Sequence, residues 1–162
     1  MIKEALESYV DAMNQLAEMK PGFTAPTHAH DFVLAHGEIW LGQKLPGKYR
    51  LRPIKQCFRN TWDLVRRSKA LTYVEGFVIS RELPMPFHHA WAVNRKNEVI
   101  DTTLRAWADL SASGGDRGHY MGVRFPTEFV KQRFHGSMLD HPYHGLRLDV
   151  IRDYEEAVCA KG

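Results

Sequence analysis

A thiol, an imidazole and a carboxylate follow one another in this chain at Cys57, His89 and Asp101. Each stands where its neighbours can make it chemically useful. Cys57 opens a predicted helix, Gln56-Cys57-Phe58-Arg59-Asn60-Thr61-Trp62-Asp63-Leu64-Val65. His89 lies near the start of a predicted strand, His88-His89-Ala90-Trp91-Ala92-Val93, and Asp101 ends the next, Val99-Ile100-Asp101-Thr102-Thr103. These residue types are those of nucleophilic acyl transfer. A thiolate attacks, an imidazole moves the proton, and a carboxylate orients the imidazole.

The elements that must hold these groups follow from apolar spacing. A helix is expected over Lys55–Ser68, with Phe58, Trp62, Leu64 and Val65 on its apolar side. Cys57 then falls in the first turn. Unpaired N–H groups and the positive end of the helix dipole favour a thiolate there, and Lys55 and Arg59 add positive potential. The same N–H groups can stabilise an oxyanion, with Gln56 or a polar side chain of the preceding loop as second donor. Strands are expected at Ala70–Ser80, His88–Asn94 and from Val99 to Thr102. A turn at Arg95–Glu98 joins the last two and pairs Trp91 roughly with Val99 or Ile100. His89 then lies near the level of Asp101 or just beyond it.

Taken together, Cys57 at a helix start, Tyr73-Val74-Glu75-Gly76-Phe77, His89-Ala90-Trp91 and Ile100-Asp101-Thr102-Thr103 form a pattern. It resembles the transglutaminase-like branch of the papain-like cysteine enzymes. The likeness covers residues 55–104, about a third of the chain. It implies an α+β fold with a catalytic helix packed on a small antiparallel sheet. It also implies a Cys57, His89, Asp101 triad and a thioester acyl-enzyme. Such enzymes include proteases, peptide amidases, amide-bond exchangers and inactive copies, so the acyl acceptor is left open. Thr102 stands where proline is usual.

Each residue also has a plainer reading. A lone intracellular cysteine is commonly a small buried hydrophobe. His88 competes with His89 for the role of base. Strand alternation turns the two apart, and the following Ala-Trp favours His89, which leaves His88 to meet solvent. Glu75 is either a buried partner for a basic residue or part of the cleft wall. Trp91 is expected in the core beneath His89. Trp40 and Leu45–Arg52 could flank the cleft. His28, His30 and His36, like His135, His141 and His144, lack the companions of a zinc site, so no metal and no other cofactor is expected.

The rest of the chain frames this site. With 162 residues, 44% of them hydrophobic, one domain is expected, its core at about residues 50–130. An amphipathic helix is predicted over 2–18, a short helix over Asp31–His36, and an extended piece at Glu38–Leu41. A strand is predicted at His119–Phe125, and a helix over Pro126–Phe134 capped by Thr127. A C-terminal helix is predicted at about 150–160, capped by Asp149. Ser111–Gly118 reads as a loop, either an ordinary solvent loop or a lid. The two cysteines, Cys57 and Cys159, do not make a disulfide framework. An acidic start without an apolar run, and no apolar stretch of about 20 residues, point to a cytoplasmic protein off the membrane. The 22 basic and 19 acidic residues are interspersed and leave a net charge of +3. The basic residues of Lys44–Arg67 are a weak basis for nucleic-acid binding. The expectation is a cysteine-dependent hydrolase or acyltransferase acting on an amide, in a protein or peptide substrate or at a glutamine side chain. The alternative is a non-enzymatic protein-binding module on the same fold.

Overall fold

The computed structural model describes residues 1–80, 84–104, 117–141 and 145–158. Much of the predicted loop Ser111–Gly118, together with His144 and Cys159, lies outside the described residues. The elements run α1 (Ile2–Met19), α2 (His28–His36), β1 (Glu38–Leu41), α3 (Cys57–Val65), β2 (Leu71–Ile79), β3 (Phe87–Asn94) and β4 (Val99–Ile100). They continue with β5 (His119–Phe125), α4 (Thr127–Arg133), β6 (Asp140–His141), β7 (Gly145–Leu146) and α5 (Leu148–Val158). The architecture is α+β. An antiparallel sheet of order β1-β5-β2-β3-β4 forms its centre, and β6 and β7 make a separate two-stranded ribbon.

The three central strands are buried on both faces, so alternation sorts their side chains between two cores. Tyr73, Phe77, Ala90, Ala92, Met121, Val123 and Phe125 join Leu6, Phe32, Val33, Val65, Val130 and Tyr154 from the helices. Val74, Val78, Trp91, Val93 and Tyr120 point the other way, with Trp40 and Val99. Trp91 is fully buried and lies over Gly122 of β5, where an added Cβ would come within 2.6 Å of its Cη2 atom. Gly122→Ala is therefore expected to displace the indole and cost about 1–3 kcal/mol of stability. Urea unfolding would read this directly, and an unchanged midpoint would show that the ring moves aside freely.

Local chemistry sets the element ends. α3 begins two residues later than the spacing predicts because Lys55 adopts a left-handed φ of 64°. It stops at Val65, and the Arg67 and Ser68 N–H groups tighten onto Leu64 and Val65 carbonyls. α2 reaches back to His28, three residues before the predicted start. Thr127 and Asp149 are not caps. Pro126 precedes α4, and Asp149 lies inside α5, where its carboxylate takes Arg147 at 3.0 Å. β4 stops at Ile100, not at the predicted Thr102, because Asp101 Oδ1 accepts from the Thr103 and Leu104 N–H groups at 2.8 and 3.1 Å and turns the chain.

The β3–β4 hairpin also differs in register. Ala92 pairs with Ile100 and Val93 with Val99. The Asn94 N–H then reaches Glu98 O at 3.1 Å, and Asn97 takes φ 64°. This is a three-residue loop with its last residue left-handed, where the sequence reading had four residues and placed Trp91 opposite Val99 or Ile100. Continuing the observed register sets Trp91 opposite Asp101. His89 is then one diagonal step away on the same face, within reach of a carboxylate.

Candidate active site

The short β4 creates the site. Beyond Ala92, β3 has no strand on that side, and the start of α3 comes in over the open edge. The Thr61 hydroxyl donates to Ala90 O at 3.0 Å, a carbonyl that β4 is too short to meet. Asn60 Nδ2 donates to Pro53 O at 2.8 Å and to Thr103 Oγ1 at 3.0 Å. The first turn of α3 is thus tied to the segment that follows Asp101. Asn60 and Thr61 are both buried. Their signal in the sequence is faint: two small polar residues three and four positions after the cysteine, on the face that also carries Val65.

Cys57, His89 and Asp101 come together at this edge. His89 Nε2 and Asp101 Oδ2 are 2.7 Å apart, and both side chains are buried. Cys57 lines the same cavity as His89 and is close enough to add to the upward shift of its ring. Because Nε2 is held by Asp101, Nδ1 is the nitrogen left for sulfur. The Tyr120 hydroxyl donates to Asp101 Oδ2 at 2.9 Å. With the two N–H groups of the turn, this surrounds the carboxylate with donors. Tyr120 has no signal in the sequence, since it arrives from β5 across the sheet. The His89 ring lies parallel to Trp91, at 14° and 6.4 Å, which is the placement expected for that indole.

The electrostatics follow from burial and pairing. Burial alone would push His89 down, but the Asp101 charge and hydrogen bond, with Cys57 adding to them, carry it up to about 10. The imidazolium is therefore its resting form near neutrality, hydrogen-bonded to the Asp101 carboxylate with Cys57 beside it. Asp101 moves in the opposite sense. Burial would raise it, while His89 and the Thr103 and Leu104 N–H groups hold it below the ordinary range of aspartate.

Above Cys57 the N–H groups of residues 57–59 precede the first backbone bond of α3, Asn60 N to Gln56 O at 2.8 Å. These donors point out of the helix start. Gln56 occupies the N-cap position and is exposed, and its side chain makes no cap bond. It does not line the adjoining cavity. That cavity, about 340 Å3, is walled by Ile54, Lys55, Phe87, His88, Thr103 and Leu104 around Cys57 and His89.

Glu75 sits elsewhere. It is fully buried under the sheet, and its oxygens accept from the Tyr73 and Ser137 hydroxyls and from the Met138 and Leu139 N–H groups. It does not line the cleft and takes the buried, structural role. Its basic partner is His88, whose Nε2 lies 3.0 Å from Glu75 Oε1. His88 therefore does not simply face solvent as alternation alone suggests. It is half-buried against Phe58 and Phe77. Desolvation would raise Glu75, but His88, Ser137 and the Met138 N–H keep it ionised below its usual range.

Of the remaining residues, Trp40 is buried edge-on to Trp91 and donates to Asn97 Oδ1 at 2.6 Å, away from the cavity. Leu45 and Tyr49 pack against the helix-side core, and the Arg52 N–H reaches Thr102 O at 2.8 Å. His36 meets Glu155, and His30 is buried within α2. Among the described residues no cluster of His, Cys, Asp and Glu could hold a metal ion, and no helix is long and apolar enough to cross a membrane. Part of the basic stretch is occupied, since Arg59 and Arg66 both pair with Asp63.

Comparison of the chain with family models, curated proteins and solved structures finds no match.

Proposed function

We propose that this chain is a cysteine-dependent hydrolase or acyltransferase of the transglutaminase-like kind, acting on an amide of a peptide, protein or glutamine side chain. The observation that carries the reading is the pairing of His89 with Asp101 beside Cys57, at a helix start that opens into a cavity. Cys57 Sγ attacks the carbonyl carbon and a C–S bond forms. The oxyanion is met by the free N–H groups at the start of α3. The His89 imidazolium gives its proton to the departing nitrogen as the C–N bond breaks, leaving a thioester on Cys57. Neutral His89 then takes a proton from water or an amine as that nucleophile attacks. The C–S bond breaks and the thiolate returns. Asp101 stays ionised throughout and fixes the ring. The walls of Ile54, Phe87 and Leu104 keep bulk water from the thioester, and Lys55 stands at the rim.

The test is a panel of glutamine-bearing and unmodified peptides, with and without a primary amine, quenched in acid and read by mass spectrometry. Acylated Cys57, together with deamidated, cleaved or amine-linked product that Cys57→Ala does not give, supports the reading. An adduct-free cysteine and product equal to the Cys57→Ala control across the panel removes it.

A further inference from the structure

A second cavity lies behind the first. It occupies about 320 Å3 between α2, β2 and β6, walled by the apolar Pro26, Ala29, Phe77 and Leu139 and by the polar His28, His30, His88 and Asp140. His88 belongs to both cavities, so the two are neighbours with one imidazole between them. For scale, an apolar cavity of ~150 Å3 holds a benzene ring.

Of these four polar side chains His30 is the buried one. Its ring is clamped between Tyr9, at 4.5 Å and 20°, and Phe77, at 4.1 Å and 24°. It is 9% exposed, and Nδ1 is sealed from solvent with no hydrogen-bond partner. Burial, helped by the neighbouring His88 and opposed by Asp31, pushes the ring down to about 4. It is neutral near pH 7 and carries one N–H. A buried N–H without an acceptor is costlier than a bare ring nitrogen, so the proton belongs on Nε2 and not on the sealed Nδ1. A rigid, neutral donor in an apolar cavity is suited to an uncharged acceptor on a flat apolar group. The phenol of a tyrosine side chain has that chemistry.

We propose that this cavity is a subsite for an aromatic side chain of the acyl donor, a tyrosine before a phenylalanine, seated against Phe77 with its hydroxyl accepting from His30. The binding step stands by itself. Its service to acyl transfer rests on the reading of Cys57 given above, with His88 as the wall across which the substrate reaches the thiol.

The experiment titrates N-acetyltyrosine amide and N-acetylphenylalanine amide into Cys57→Ala protein, following methyl and imidazole resonances. Saturable shifts at Ala29, Leu139 and His30 are expected, with tyrosine amide bound about 2- to 10-fold more tightly, the range of one hydrogen bond. His30→Phe keeps the stack and should abolish that preference. Ala29→Phe should fill the cavity and remove binding. Both variants are checked by thermal melts, and the shifts in the parent protein need neither. Absence of saturable shifts at these residues, or a tyrosine preference that survives in folded His30→Phe, overturns the proposal. Binding at the cavity beside an inert Cys57 leaves the subsite standing and removes the acyl-transfer reading. A reactive Cys57 with no aromatic binding does the reverse.

Discussion

Asp101→Asn is expected to lower kcat/KM by several orders of magnitude while leaving the fold in place. Asn keeps the shape and can still accept at one atom, so the Thr103 and Leu104 N–H groups and the turn they close survive. What is lost is the charge that holds His89 protonated and in one tautomer. In serine triads the analogous change costs about 10⁴. Cys57→Ala should abolish turnover outright, because only a sulfur disappears and the tether of α3 runs through Asn60 and Thr61. His89→Ala should match it within about tenfold, since residues of one catalytic unit are not additive. Steady-state kinetics on any substrate found, beside melts of each variant, decide the matter. Full activity in Cys57→Ala would make the protein a binding module.

The largest loss of stability is expected at Glu75. Its carboxylate is fully buried and receives two hydroxyls, two backbone N–H groups and His88. Glu75→Ala leaves all of these without an acceptor in the middle of the sheet. The cost of breaking such a buried pair is about 3–5 kcal/mol, a large part of the 5–15 kcal/mol that holds most domains folded. Glu75→Gln keeps the shape and loses the charge, so it should fall between the two. The acid side of the stability curve has the same origin. Glu75 and Asp101 are held below their ordinary values of 4.5 and 3.8. Their stabilisation is present above those values and is lost as pH falls through the folded ones. His30, held at about 4 against 6.5 when unfolded, adds an earlier loss. The unfolded chain takes up its proton from pH 6.5 downward and the folded one does not. The raised His89 works the other way above pH 6.5, so melts from pH 6 to 3 should fall in two stages, and His30→Phe should remove the first.

The sequence carries the strands and the order of Cys57, His89 and Asp101 because alternating apolar residues and a cysteine at a helix start are local signals. The helix and strand at the site are displaced from their expected limits by only one to three residues. What it does not carry is set by contacts between distant segments. The hairpin register turns on Asn97 adopting a left-handed conformation, and that choice moves Asp101 opposite Trp91. The hydrogen bond from Tyr120 depends on β5 lying across the sheet. His88 is assigned to solvent by strand alternation, yet Ser137, Met138 and Leu139 close over Glu75 and bring the imidazole into the same network. The buried place of His30 likewise depends on Tyr9, from a helix whose apolar stripe is legible but whose contact is not.

The central claim is that sulfur and imidazole act as one unit at Cys57, and the rate of its alkylation by iodoacetamide near pH 6 tests that most directly. Cys57 lies beside an imidazole that Asp101 holds protonated, and a fixed positive charge next to a cysteine is what makes such a side chain quick to alkylate. Cys57 should react much faster than Cys159 in the same molecule, as read by peptide mapping, and His89→Ala should slow it to the rate of an ordinary thiol. Equal rates at the two cysteines, or a Cys57 rate unchanged by His89→Ala, would contradict the account.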